Sequence, residues 1–188
     1  MNVYDFDNTL YDGESALDFF LFCLKKNPGL LRFIPSALRG IVDYKRHGIT
    51  IDEVGRRYAR IMRACLEGLG DYREATRVFW DKYEHRICSF YREIQRPDDL
   101  VISAGPEQSL REICGRMGIR HYIGTVVNEG SGEMEFVCFK ENKVKAFQER
   151  WPGQGIDDFY TDSMNDKPLM DLAKRVFMVR KGRVRRIK

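Results

Sequence analysis

From residue 100 onward, short apolar runs alternate with helical stretches, and one more apolar run, residues 3–6, stands far upstream of them. Such alternation builds parallel sheets, because two strands pointing the same way need a crossover between them. Apolar runs at 100–103, 122–127, 134–139, 157–160, 176–179 and 184–187 read as strands. Stretches 107–117, 143–150 and 167–174 read as the helices between them. Residues 134–139 pair across the turn Glu129-Gly130-Ser131-Gly132, and the last two runs form a hairpin around Lys181-Gly182.

Residues 13–97 carry a different pattern. Ser15 is placed to cap a helix through Ala16, Phe19, Phe20 and Cys23, which Pro28-Gly29 breaks. A second helix falls within 30–44, and a third runs from Thr50 or Asp52 to Gly68. A fourth starts at Asp71 and carries apolar residues at helical spacing to Ile94. The expected fold is α/β: a Rossmann-like parallel sheet core from 1–12 and 98–188, with a helical cap over 13–97 inserted after the first strand.

Composition narrows the function classes. A chain of 188 residues holds one domain, or a compact core with an insertion. The most apolar run, 16–24, contains Asp18 and ends at Lys25-Lys26, short of the roughly 18 residues a membrane span needs. Chemistry-bearing residues begin at position 5, so no leader is expected and the location is expected to be cytoplasmic. The five cysteines include no Cys-x-x-Cys pair, so buried reduced thiols are expected rather than a zinc site or disulfides. The three histidines lack metal-ligand spacing. Six of the last nine residues are Lys or Arg, but no aromatic residue interleaves them. A charged hairpin with Val184 and Ile187 facing inward is expected, with no nucleic-acid partner. Its charge can help draw in an anionic substrate.

Three strand ends and one helix start carry polar residues in a telling order. Asp5 sits at the carboxyl end of the first run and Asp7 on the loop beyond, the edge where open α/β sheets bind ligands. One carboxylate there can attack an electrophile while the second exchanges protons with the leaving group. Ser103, followed by Ala104 and Gly105, can donate to a phosphate oxygen and allow close backbone approach; its plainer role is to cap the next helix. Lys143 opens a helix four residues before Phe147, and a fixed ammonium there can orient the attacking carboxylate; Lys145 competes for that place. Asp162 and Asp166 follow a strand four residues apart and can hold a cation or, more plainly, cap the helix from Lys167.

The run Asp5-Phe6-Asp7-Asn8-Thr9-Leu10 resembles motif I of the haloacid dehalogenase superfamily, most of whose members are phosphatases. The Ser103 segment resembles motif II, and Lys143 with Phe147 resembles the lysine motif of the phosphoserine phosphatase-like branch, subfamily IB. That branch reads Gly-Asp-Gly-x-Asn-Asp at its last motif. Here Asp162, Asn165 and Asp166 match, while Thr161 and Ser163 replace the glycines. The resemblance implies a phosphatase acting through a phospho-Asp5 intermediate, with Asp7 as general acid and base. It implies Mg²⁺ held by Asp5, the Asp7 backbone carbonyl and Asp162, with Asp166 on a metal-bound water or pinning Lys143. Dehalogenases need no acid at Asp7, and the transport ATPases of the superfamily carry Thr there.

Glu14 follows Thr9 by five residues, where the branch's glutamate meets a substrate amine; Glu14, Ser103 and Gly105 are thus the implied substrate contacts. The implied partner is phosphoserine-like or another small phosphorylated metabolite. Arg56, Arg57, Arg60 and Arg63 fall on one helix, and nothing selects a carboxylate-holding arginine among them. A phosphomutase, a phosphatidylglycerophosphatase-like head-group phosphatase and a non-catalytic binding module are the alternatives. The basic amphipathic stretch 25–46 suits membrane contact in the second of these, although a cap packing its apolar face on the core is the expected reading.

Overall fold

A computed structural model describes residues 1–45 and 50–188. Its centre is a seven-stranded sheet: β1 (Val3–Tyr4), β2 (Leu100–Pro106), β3 (His121–Val127), β4 (Met134–Phe136), β5 (Ile156–Thr161), β6 (Ala173–Arg180) and β7 (Arg183–Arg186). The strand order is β4-β3-β2-β1-β5-β6-β7. β1, β2, β3, β5 and β6 are parallel, and the two edge strands run antiparallel to their neighbours. β1 is short but central, pairing with β2 on one side and β5 on the other. Asp5, directly after it, therefore emerges in the middle of the carboxyl edge, where the strand order switches direction.

Helices cover both faces. On one face, Tyr4 stacks on Tyr160 at 4.7 Å between ring centres, and Tyr160 on Phe177 at 4.7 Å, an aromatic ladder across β1, β5 and β6. On the other, Val3, Leu100, Ile102 and Phe159 pack with Phe147 and Leu169. Those two residues come from α7 (Glu141–Arg150) and α8 (Lys167–Leu172).

The helical stretch between β1 and β2 folds as α1 (Ser15–Lys26), α2 (Ile34–Lys45), α3 (Ile51–Leu69), α4 (Tyr72–Tyr83) and α5 (Phe90–Ile94). Asp71 caps α4, its carboxylate accepting from Arg73 and Glu74 amides. Phe19, Phe20, Phe79 and Trp80 of this stretch join Tyr4, Phe6, Leu10 and Tyr11 in one apolar cluster with α6 (Glu107–Met117). The Trp80 indole donates to the Ser109 carbonyl at 3.1 Å. The helices thus share a core with the sheet, each fully buried aromatic contributing about 1.5–3 kcal/mol.

Three expectations change. The single helix expected over 71–94 is two, separated by a turn at Glu84–Arg86 and an extended link. The link breaks the helix because it serves the loop after β1: Ile87 bridges Tyr11, and the Cys88 amide donates to Leu10 O at 2.7 Å. Val184 and Ile187 do not face inward; they are 40% and 50% exposed, because β7 is an edge strand with every residue exposed. In the basic stretch, Leu30 is buried against the core and Phe33 and Ile34 pack beside it, while Leu31 and Leu38 are exposed. The apolar face is therefore divided rather than wholly covered. Arg46 and His47 lie outside the described residues.

No disulfide joins any two of the five cysteines, and four of them are buried. Among the described residues no helix is long and apolar enough to cross a membrane. The β3–β4 turn rests directly on α3. Gly132 has φ +72°, and a Cβ built there would lie 2.6–2.9 Å from atoms of Arg63, backbone included. Only glycine fits both the backbone and the approach.

Candidate active site

The loop after β1 is wound tightly: the amides of Thr9, Leu10 and Tyr11 all point to the Phe6 carbonyl, and Asn8 takes φ 55°. This winding returns the chain so that the Ser15 amide donates to Asp7 Oδ1 at 2.7 Å. Ser15 is thus not the cap that its position suggests but the first residue of α1, and it holds Asp7. The Arg86–Asp18 ion pair, with Tyr11 donating to Asp18 at 2.7 Å, braces the loop against α1.

Opposite, α7 delivers Lys143, which is 3% exposed. Its ammonium lies 2.8 Å from Asp5 Oδ1 and 2.7 Å from Asp166 Oδ1. Lys145 is exposed on the other side of that helix. Asp166 is fixed from its second oxygen by the Thr161 hydroxyl at 2.7 Å, and the Ser163 hydroxyl accepts from the Asn165 amide at 3.2 Å. The residues replacing the two expected glycines therefore brace the loop with side-chain bonds that glycines lack.

Ser103 is buried within β2, just past Ile102 where the regular pairing with β3 breaks off, and its Oγ accepts from the Gly105 amide at 3.0 Å, leaving its proton to be donated. A Cβ at Gly105 would lie 3.3 Å from Ser103 Oγ and 4.0 Å from Ser15 Oγ, so β2 and the start of α1 meet here. Glu14, just before α1, accepts from Asn8 Nδ2 at 2.8 Å. With Asp162 it lines an open cleft of about 730 Å³ whose far wall includes Arg180 and Lys181. The basic hairpin thus flanks the entrance. Of the four candidate arginines, Arg60 and Arg63 are exposed, and Arg63 pairs with Glu67 at 3.2 Å. The side chains of Arg56 and Arg57 lie outside the described ones.

Crowded carboxyl groups perturb one another. Burial pushes Asp7 up to about 7, with the Glu14 charge adding to the effect. Burial also raises Asp5, against the pull of Lys143, and raises Asp162, with the charges of Asp5 and Glu14 adding. Among the described residues no three His, Cys, Asp or Glu side chains converge as a ready-made metal cage. The donors present are hard oxygens with excess negative charge, which suits a cation that keeps most of its own waters.

Comparison with known proteins fixes the family. A family model described as haloacid dehalogenase-like hydrolase matches residues 3–171. The chain belongs to that family. Among curated proteins, this haloacid dehalogenase-like hydrolase is 27% identical over 107 residues to a probable phosphatase of Mycobacterium tuberculosis. The match covers 53% of the chain and 35% of that protein, so the chain spans about a third of the relative's length. Among solved structures, a protein of unknown function from Bordetella pertussis Tohama I superposes with TM-score 0.70 at 19% identity, covering 94% of this chain and 87% of that one. A phosphoserine phosphohydrolase-like protein from Francisella tularensis gives 0.59 at 17% identity, covering 94% and 86%. An apo phosphoserine phosphatase gives 0.58 at 16%, covering 93% and 82%. At such identities these likenesses bear on the fold, a mostly parallel α/β sheet common to this hydrolase family.

Proposed function

We propose that the chain is a Mg²⁺-dependent phosphatase that hydrolyses a small phosphate monoester through phospho-Asp5. The observation that carries this reading is the buried Lys143 ammonium held between Asp5 and Asp166, beside an Asp7 oriented by Ser15. Lys143 orients the Asp5 carboxylate and offsets charge on the transferring group. The Ser103 hydroxyl and the backbone around Gly105 donate to the phosphate oxygens.

Asp5 Oδ attacks phosphorus as the ester P–O bond breaks, and Asp7 gives its proton to the leaving alcohol oxygen. Asp7 then takes a proton from water, which attacks the aspartyl phosphate, and the P–O bond to Asp5 breaks to release phosphate. An acid whose pKa lies near 7 suits both halves of that cycle at neutral pH. Asp5, Asp162 and the Asp7 carbonyl would hold Mg²⁺, with Asp166 on a metal-bound water. When bound, the ion neutralises negative charge on the phosphoryl oxygens. In this reading residues 13–97 form the cap that closes on the leaving group, and residues 1–12 and 98–188 form the core.

Turnover of a phosphate-ester panel by the wild type with Mg²⁺, the wild type with EDTA, and Asp5→Asn tests the proposal. Activity is expected in the first alone, and equal turnover in all three would refute it.

A further inference from the structure

Between α1, α3 and the β2–α6 junction lies a cavity of about 100 Å³, walled mainly by Phe19, Phe20, Ile61, Met62, Cys65 and Tyr72. Glu14 and Ser15 line it too, and Glu14 also lines the cleft that holds Asp162. Ser15 is the residue whose amide grips Asp7. An alcohol accepting its proton from Asp7 therefore leaves beside the wall that Glu14 and Ser15 form. We propose that the cavity is the leaving-group pocket and that the substrate is the phosphate monoester of a small apolar alcohol, an inference that rests on the phosphatase reading above.

The described wall points to the class. Among the described residues lining the cavity, Glu14 is the charged one, and it is bonded to Asn8. A carboxylate set against those apolar side chains would lose its hydration. An alkyl chain gains instead: each buried methylene is worth about three- to fourfold in affinity. The volume suits a short chain, because an apolar cavity of ~150 Å³ holds benzene.

The test is kcat/KM with Mg²⁺ for methyl, ethyl, propyl and butyl phosphate and for phosphoserine. Simple primary alcohols differ little as leaving groups, so the alkyl series reads burial rather than bond chemistry. The expected result is a rise of about three- to fourfold per methylene, with phosphoserine below propyl phosphate. Met62→Trp, which fills the cavity, is expected to lower the butyl-to-methyl ratio about tenfold. A flat or falling series, or phosphoserine preferred over butyl phosphate, overturns the proposal. Calorimetry of methyl- and butylphosphonate on the wild-type protein with Mg²⁺ separates the two claims. If no ester turns over but butylphosphonate binds at least tenfold tighter, the phosphatase reading fails and the pocket assignment stands. If butylphosphonate binds no tighter, the pocket assignment fails whatever the activity.

Discussion

Replacing Lys143 by Met removes an ammonium that contacts two carboxylates at 2.8 and 2.7 Å, all three side chains being under 10% exposed. Taking one partner from a buried ion pair costs about 3–5 kcal/mol, because the remaining charge keeps its desolvation penalty. Here the penalty can be relieved, since Asp5 already has a raised pKa and takes a proton readily. Removing Lys143, whose charge pulls that pKa down, raises it further, so the variant takes up its proton at higher pH than wild type does. The loss is therefore expected near 3–5 kcal/mol at pH 8 and about 1.4 kcal/mol smaller at pH 6. Urea unfolding at both pH values measures it. In a double-mutant cycle with Asp166→Asn, removing the carboxylate as well should recover at least 1 kcal/mol. Lys145→Met, on the exposed side of α7, should stay within about 0.5 kcal/mol of wild type. A Lys143→Met loss below about 1 kcal/mol at pH 8, with an additive cycle, would refute the reasoning.

Other outcomes follow from the same geometry. Asp5, Asp7 and Asp162 all have folded pKa values above their unfolded ones, so each stabilises most at low pH and loses that contribution as pH rises through about 7 for Asp5 and Asp7 and about 8 for Asp162. The melting temperature of metal-free protein should fall between pH 5.5 and 8.5, and millimolar Mg²⁺ should reverse the fall at the upper end; calorimetric scans at both ends check this. Gly132→Ala places a Cβ against the α3 backbone at positive φ and should cost about 1–3 kcal/mol in denaturant titration. Trp80→Ala empties a fully buried site linking α4 to α6 and should cost about 3–5 kcal/mol. Thr161→Val leaves Asp166 without its 2.7 Å donor and should lower kcat more than it raises KM.

The positions of the strands along the chain and the residues of the candidate site were legible because their signals are local. Short apolar runs that carry Asp5, Ser103 and Asp162 at or just past their ends announce strands and what stands at their carboxyl edge. The exposed and buried faces of α7 separate Lys143 from Lys145 only once the helix is packed, a fact its sequence spacing hints at without deciding. What stayed hidden depends on distant partners. The break after Tyr83 is explained by Leu10 and Tyr11, some 75 positions away, which need the backbone of Ile87 and Cys88. Val184 and Ile187 are the apolar positions of the closing hairpin, but an apolar residue does not tell whether another element covers it. Ser15 resembled an ordinary cap because its service to Asp7 requires the winding at Asn8. Thr161 resembled a lost glycine because its bond to Asp166 exists only in the folded loop.

The central claim is that Asp5 itself carries the phosphoryl group. Rapid quenching of the Mg²⁺ enzyme during turnover, followed by borohydride reduction, converts an aspartyl phosphate to homoserine, which peptide mass spectrometry assigns to a position. The account predicts homoserine at residue 5, dependent on substrate and absent from Asp5→Asn. An active enzyme that yields homoserine at Asp7 or Asp162 instead, or at none of the three, would contradict it.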